Sequence, residues 1–287
     1  MRTEGKRIAE VLVPAALVGI AHGTNAPAGQ AAVVSLMRAV GAAVPCLTTT
    51  LGFVDVQQPD TPATLGALPT AAPAIIVPLL LSAGFHVHVD LANAVRATTN
   101  RAVVLGAALG PDDRLVELLR RRLIEAGLGA HDAVVLAAAG SSDARAVADC
   151  RRVAEGLAQA LERPVNIGFL SAAEPRLAAA ITNLRATQPE RRIMLSSYLL
   201  APGYFHGLAE AAGADVVTAP LLRADAPAPQ ELVDVVIDRY REAEYPSSSV
   251  ADSPNPARQP RRIVRLQPPK RHPLRGARRR VTADDRA

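Results

Sequence analysis

Six histidines occur in this chain of 287 residues, and two of them stand where a chain can do metal chemistry. His86, His88 and Asp90 occupy alternate positions shortly after the apolar run 74–81, and His22 directly follows another apolar run, AALVGIA at 15–21. Continuous apolar runs of this length mark strands buried on both faces of a parallel sheet. The end of such a strand delivers the next side chains to the ligand crevice of an open α/β sheet. If the backbone stays extended past residue 84, period two places His86, His88 and Asp90 on one side. Neighbouring strands lie about 5 Å apart. His22 and His86 at the ends of two such strands can therefore share one divalent ion, with Asp55 supplying a harder oxygen ligand or accepting a proton.

Other chemistries find fewer residues. HGTNAP is not a phosphate-cradling loop, because neither GxGxxG nor GxxxxGK[ST] is present. There is no GxSxG elbow, and neither cysteine adjoins a histidine, so nucleophilic hydrolysis has no candidate. Cys46 and Cys150 are too few for a disulfide framework and lack zinc or redox spacing. They read as buried structural thiols in a reducing compartment.

The elements that must position these residues follow from the alternation of apolar runs and helical spacing. The pattern predicts a strand at 15–21, a helix over 29–40, a strand within 45–56, a short helix at 61–68 and a strand at 74–81. A helix over 91–98 and a strand over 101–109 follow. Pro111 and Asp112 then open a helix that Gly127 closes. Strands alternating with helices imply a mainly parallel sheet covered on both faces, an α/β fold. Aromatic residues are only 3% of the chain, with no Trp, so the core is built from aliphatic packing.

After residue 130 the pattern repeats. HGT at 22–24 lines up with the segment around Gly140, GFVDVQQP at 52–59 with GFLSAAEP at 168–175, and LLLSAGF at 79–85 with YLLAPGY at 198–204. Gly23 pairs with Gly140, Pro59 with Pro175 and Gly84 with Gly203, at offsets of 117, 116 and 119 residues. We therefore expect two tandem domains, 1–129 and 130–245, related by pseudo-two-fold symmetry. The repeat also exposes an asymmetry: His22 is matched by Ala139, His86 by Phe205 and Asp55 by Ser171. A site kept in the first copy and lost in the second accounts for all three exchanges.

The net charge of +5 comes largely from the end of the chain. Between Arg258 and Arg286 there are eleven Lys or Arg against two Asp, among several prolines. Such a segment cannot bury enough surface to offset its ordering entropy, so 246–287 is expected to be a disordered basic tail. Without aromatics to stack on bases, nucleic acid is not the expected partner. The sequence has no apolar stretch of eighteen residues and no cleavage pattern after its opening run, so a cytoplasmic location without membrane contact is expected.

At the level of motifs the chain resembles the sirohydrochlorin chelatases of the CbiX/SirB type, within the class II chelatase superfamily. HGT at 22–24 corresponds to the usual HGS, with Thr24 for Ser. GFVDVQQP carries Asp55 where Glu is usual, and PLLLSAGFHVHVD at 78–90 matches the PLFL-GxHxxxD strand end. The second unit is similar to the degenerate repeat of the two-domain members. The resemblance implies two flavodoxin-like domains with a tetrapyrrole in the cleft between them. It implies a lyase of siroheme or cobalamin biosynthesis that inserts Fe2+ or Co2+, sometimes Ni2+, into sirohydrochlorin. On that reading His22 and His86 are the metal-handling and catalytic residues, joined by Asp55, and His88 is secondary. No permanently bound cofactor is expected, the ion being a substrate, and a monomer is expected because the two halves already form the pseudo-dimer. The alternative is a non-catalytic metal or tetrapyrrole carrier on the same fold.

Overall fold

The computed structural model describes residues 14–69, 72–82 and 84–245, with backbone only at 85–88. The expectations for the opening residues, for the directions of the His86 and His88 side chains and for the 246–287 tail lie outside the described residues.

Two four-stranded parallel sheets are present. The first holds β1 (Ala16–Ala21), β2 (Thr49–Phe53), β3 (Ala74–Pro78) and β4 (Val103–Leu105) in the order β2-β1-β3-β4. The second holds β5 (Ala133–Ala138), β6 (Val165–Phe169), β7 (Ile193–Tyr198) and β8 (Val216–Val217) in the order β6-β5-β7-β8. The two orders are the same, as the repeat predicts. Every residue of β1, β3, β5 and β7 is buried, which explains their unbroken apolar runs, while the edge strand β4 is only partly covered. In both sheets the direction of winding reverses beside the first strand, between β1 and β3 and between β5 and β7. Chain segments leaving the carboxyl ends there diverge and open a crevice.

The helices are α1 (Pro27–Ala43), α2 (Thr61–Gly66), α3 (Phe85–Ala97), α4 (Asp113–Glu125), α5 (Ala144–Leu161), α6 (Leu177–Thr187), α7 (Tyr204–Glu210) and α8 (Gln230–Glu244). Pro27 opens α1 at a position where its missing N–H costs nothing. Asp112 caps α4 by accepting from the Arg114 N–H at 3.0 Å.

One expectation is corrected here. Residues 85–90 are not an extended strand end; they are the first turn and a half of α3, which begins at Phe85 and not near Leu91. The alternation of FHVHVD has strand period, but no strand is available to pair with it: β1 has ended at Ala21 and β4 ends at Leu105. A helix satisfies its own backbone groups, so the segment coils after Gly84. His86, His88 and Asp90 are thus not brought to one side by period two. Positions 86 and 90 are instead one helical turn apart.

The last helix of each repeat crosses to the other sheet. α4 follows β4 in the chain but packs on α5 and β7, and α8 follows β8 but packs on α1, β3 and β4. The Arg239 guanidinium donates to the carbonyls of Ala108 at 2.9 Å and Leu109 at 3.1 Å, and the Tyr240 hydroxyl donates to Ala15 O at 2.7 Å. In the opposite direction Arg122 of α4 donates to Leu221 O at 3.0 Å. Where the exchanged helices meet, Asp112 is held by Arg114 at 2.9 Å and Arg239 at 3.1 Å, and Arg114 reaches Asp238 at 2.7 Å. The inner faces of both sheets share one apolar core that includes Leu36, Leu118, Leu136 and Tyr240, while each outer face has its own smaller cluster. Residues 14–245 therefore pack as one unit.

Candidate active site

His22 is the first residue after β1, and its loop is fixed by backbone bonds to the loop after β2. The N–H groups of Val54 and Asp55 donate to the carbonyls of Ala21 and His22 at 2.9 and 3.0 Å. Gly23 follows with φ 97, and a Cβ there would lie 2.2 Å from Asp55 O, so only glycine lets the two loops approach this closely. Thr24 N donates to Gln57 Oε1 at 2.9 Å, and the Thr24 hydroxyl oxygen accepts from Ala26 N at 3.1 Å at the entrance to α1. Val56, a β-branched residue at φ 63, completes the turn. That conformation costs about 1–3 kcal/mol and is held by the bonds around it.

The second repeat keeps this scaffold without the ionisable groups. Ser171 N donates to Ala139 O at 2.9 Å, Gly140 has φ 90, and a Cβ on it would lie 1.9 Å from Ser171 O. The Ser171 hydroxyl also donates to Ala139 O at 2.9 Å. At the equivalent place the Asp55 Oδ1 instead accepts from Val56 N at 2.7 Å.

His22 faces a cavity of about 670 Å³ formed between the two switch points, within the range of small-molecule sites. Thr24, Val56 and Gln57 line it from the first repeat, together with 79–82 after β3; Tyr198 and 199–206 line it from the second. Among the described lining residues there is no Lys, Arg, Asp or Glu. The Tyr198 hydroxyl donates across the repeats to Leu81 O at 2.8 Å, and burial pushes this phenol well above its usual range. Burial likewise pushes the Cys150 thiol up to about 11, whereas Cys46, expected to be buried as well, is exposed. The described lining is thus mostly apolar, and imidazole nitrogen is its metal donor chemistry. Two smaller cavities, of about 600 and 420 Å³, lie beside α4 and α5 and beside Gly106–Pro111, and neither His22 nor Asp55 lines them.

Of the three expected site residues, His22 lines the cavity. His86 is the second residue of α3, on the segment that leaves the carboxyl end of β3, the strand next to β1. Asp55 is bonded to the His22 backbone, but its carboxylate is exposed and does not line the cavity, unlike its neighbours Val56 and Gln57. Among the described residues no three His, Cys, Asp or Glu side chains gather into a metal cluster. Two cavity residues escaped the sequence reading. Gln57 appears there only within the GFVDVQQP motif. His206 stands one position after Phe205, the partner of His86 in the repeat, so the comparison of equivalent positions passed over it. Its Nε2 lies 3.2 Å from Thr218 O, which makes that nitrogen the proton carrier, and its Nδ1 lies 3.6 Å from Glu210.

Known proteins are similar to this chain in sequence and in fold. Sirohydrochlorin ferrochelatase of Priestia megaterium is 29% identical over 135 residues, which are 45% of this chain and 50% of the relative. Sirohydrochlorin cobaltochelatase of Sulfolobus acidocaldarius is 31% identical over 74 residues, 25% of this chain and 60% of that one. The matched segments thus span half to three fifths of these curated relatives. The solved structure of SirB from Bacillus subtilis with Fe3+ superposes with a TM-score of 0.65 at 20% identity, covering 80% of this chain and 96% of that one. The structure of CbiX, described as the terminal enzyme for biosynthesis of siroheme in denitrifying bacteria, has a TM-score of 0.53 at 17% identity over 78% of this chain and 98% of that one. At those identities the structures establish the shared fold. The CbiX family model matches twice, over residues 16–126 and 133–243, and on those two matches the chain belongs to the CbiX family.

Proposed function

We propose that this protein is a sirohydrochlorin chelatase, inserting Fe2+ or Co2+ into the metal-free macrocycle. The observation that carries the reading is the placement of His22 at the switch point of the first sheet, facing a cavity large enough for a small-molecule ligand, next to the segment bearing His86. The family membership and the curated relatives support the same activity.

The chemistry is a ligand exchange: the divalent ion passes from imidazole nitrogens to four macrocycle nitrogens while two pyrrole protons leave. His22 and His86 present the ion as neutral donors. A two-imidazole site holds it loosely enough to release it, where a closed four-ligand site would retain it. Asp55, exposed beside the cavity residues Val56 and Gln57, takes the protons to solvent and does not ligate the ion. The second repeat, with Ala139, Ser171 and Phe205 at the matching positions, supplies the opposite wall. A cavity lined by both repeats of one chain supports a monomer as the functional unit.

The test is metal insertion into sirohydrochlorin by purified protein under anaerobic, reducing conditions, followed by absorbance. The proposal expects a rate well above the protein-free reaction with at least one of Fe2+, Co2+ and Ni2+. The position of the Asp55 carboxylate outside the cavity is the one observation that favours a carrier. A carrier would bind ion or macrocycle and leave the insertion rate at the protein-free value.

A further inference from the structure

The chain has only four Tyr and four Phe, and six of these eight fall into two groups. Phe53, Phe169, Tyr198 and Tyr240 are buried in the core. Tyr204 and Phe205, adjacent at the start of α7, are 76% and 37% exposed, and both line the cavity that His22 faces. Six large apolar side chains are exposed among the described residues, and three of them, these two and Val56, meet at this cavity. Single exposed apolar residues need no explanation, but a cluster at the mouth of a cavity marks a binding surface.

The two rings leave aromatic surface open to a partner. The two rings have centroids 5.7 Å apart and planes inclined at 60°, so they do not stack face to face and cover one another. The loop that carries them is pinned to the first repeat. A Cβ on Gly29 of α1 would lie 2.1 Å from Pro202 O, and one on Gly203 would lie 3.1 Å from Thr24 Oγ1. Tyr204 and Phe205 are therefore held in register with the loop of His22. With no charged side chain among the described lining residues, the cavity is matched to the apolar face of a conjugated ring system, leaving acidic substituents to the solvent.

We propose that Tyr204 and Phe205 form the platform on which the face of the macrocyclic substrate rests. The second repeat, which has lost the ionisable residues, then provides substrate recognition, while the first handles the ion. This rests on the chelatase reading above and assigns a substrate-binding role that the loss of His at position 205 does not itself suggest.

The test is equilibrium titration of metal-free sirohydrochlorin, followed by its fluorescence, into wild type, the double variant Tyr204→Ala/Phe205→Ala and Tyr204→Phe. Melting temperatures confirm that each variant is folded. The double variant is expected to raise Kd about ten-fold, the loss of two aromatic contacts, and to raise KM for the macrocycle more than it lowers kcat. Tyr204→Phe, which keeps the ring, is expected to restore Kd to within about two-fold of wild type. A double variant that binds as tightly as wild type overturns the platform and leaves the chelatase reading standing. A wild type that does not bind sirohydrochlorin overturns both.

Discussion

Gly29→Ala pits two opposing effects of known size against each other. Gly29 lies in α1, where exchanging glycine for alanine ordinarily adds about 1 kcal/mol of helix stability. Its missing side chain, however, is what lets the backbone of the second repeat approach: a Cβ would sit 2.1 Å from Pro202 O and 2.9 Å from Thr24 Cγ2. The first obstacle is main chain, so relief requires α1 or the 199–203 loop to move by roughly 1 Å, and overpacking of this kind costs about 1–3 kcal/mol. The cost should exceed the gain, giving net destabilisation of about 1–2 kcal/mol and a melting temperature lower by about 2–8 °C for a chain of this size. The control is Gly66→Ala at the end of α2, where a Cβ meets nothing within 4 Å, and which should be neutral or stabilising. Thermal and urea unfolding of both variants beside wild type provide the assay. A Gly29→Ala protein as stable as Gly66→Ala would refute the claim that close backbone contact between the repeats at this point fixes the walls of the cavity.

Other expectations follow from the same structure. With Cys46 exposed and Cys150 buried with its thiol pushed up to about 11, a thiol reagent at pH 8 should modify one cysteine quickly in the native protein and the second only on unfolding; two fast thiols would contradict the placement of Cys150. Burial opposes ionisation of Asp112, but hydrogen bonds from Arg114 and the charges of Arg114 and Arg239 outweigh it and lower its pKa; a hydrogen bond from Arg121 does the same for Glu231. The stability these carboxylates contribute is present above their unfolded values near 4 and is lost as pH falls through their lowered folded values, so unfolding midpoints should drop below about pH 4, and less so in Asp112→Asn; an identical acid response in that variant would contradict the exchange-helix clamp. His86→Ala should abolish metal insertion and His88→Ala should leave most of it, and the reverse order would show that the wrong histidine had been assigned.

Much of this architecture is readable in the amino-acid order. The apolar runs of β1, β3, β5 and β7 announce strands covered on both faces, and Gly23 with Gly140 and Pro59 with Pro175 mark the repeat. What the order conceals is non-local. The amphipathic patterns of α4 and α8 show that each has a face to bury, but not that each buries it on the other repeat's sheet. FHVHVD has strand period, and only the ends of β1 and β4 leave it unpaired and helical. Asp55 follows β2 at the expected place, yet the direction of its carboxylate depends on a bond to the next N–H, a choice that spacing does not reveal. Tyr204 and His206 flank the position at which the repeats were compared. Their share in the cavity depends on the 199–203 loop resting on α1, a contact between segments about 170 residues apart.

The central claim is that His22 delivers the metal, and the most direct measurement compares His22→Ala with wild type in two assays on the same preparation. One is the rate of Co2+ or Fe2+ insertion into sirohydrochlorin; the other is equilibrium binding of the metal-free macrocycle. Loss of a group that acts on the ion and not on the macrocycle should lower the insertion rate by about 10²-fold or more, with the macrocycle Kd within a few-fold of wild type. A variant that inserts metal at the wild-type rate, or one whose lost activity is matched by an equal loss of macrocycle binding, would contradict the account.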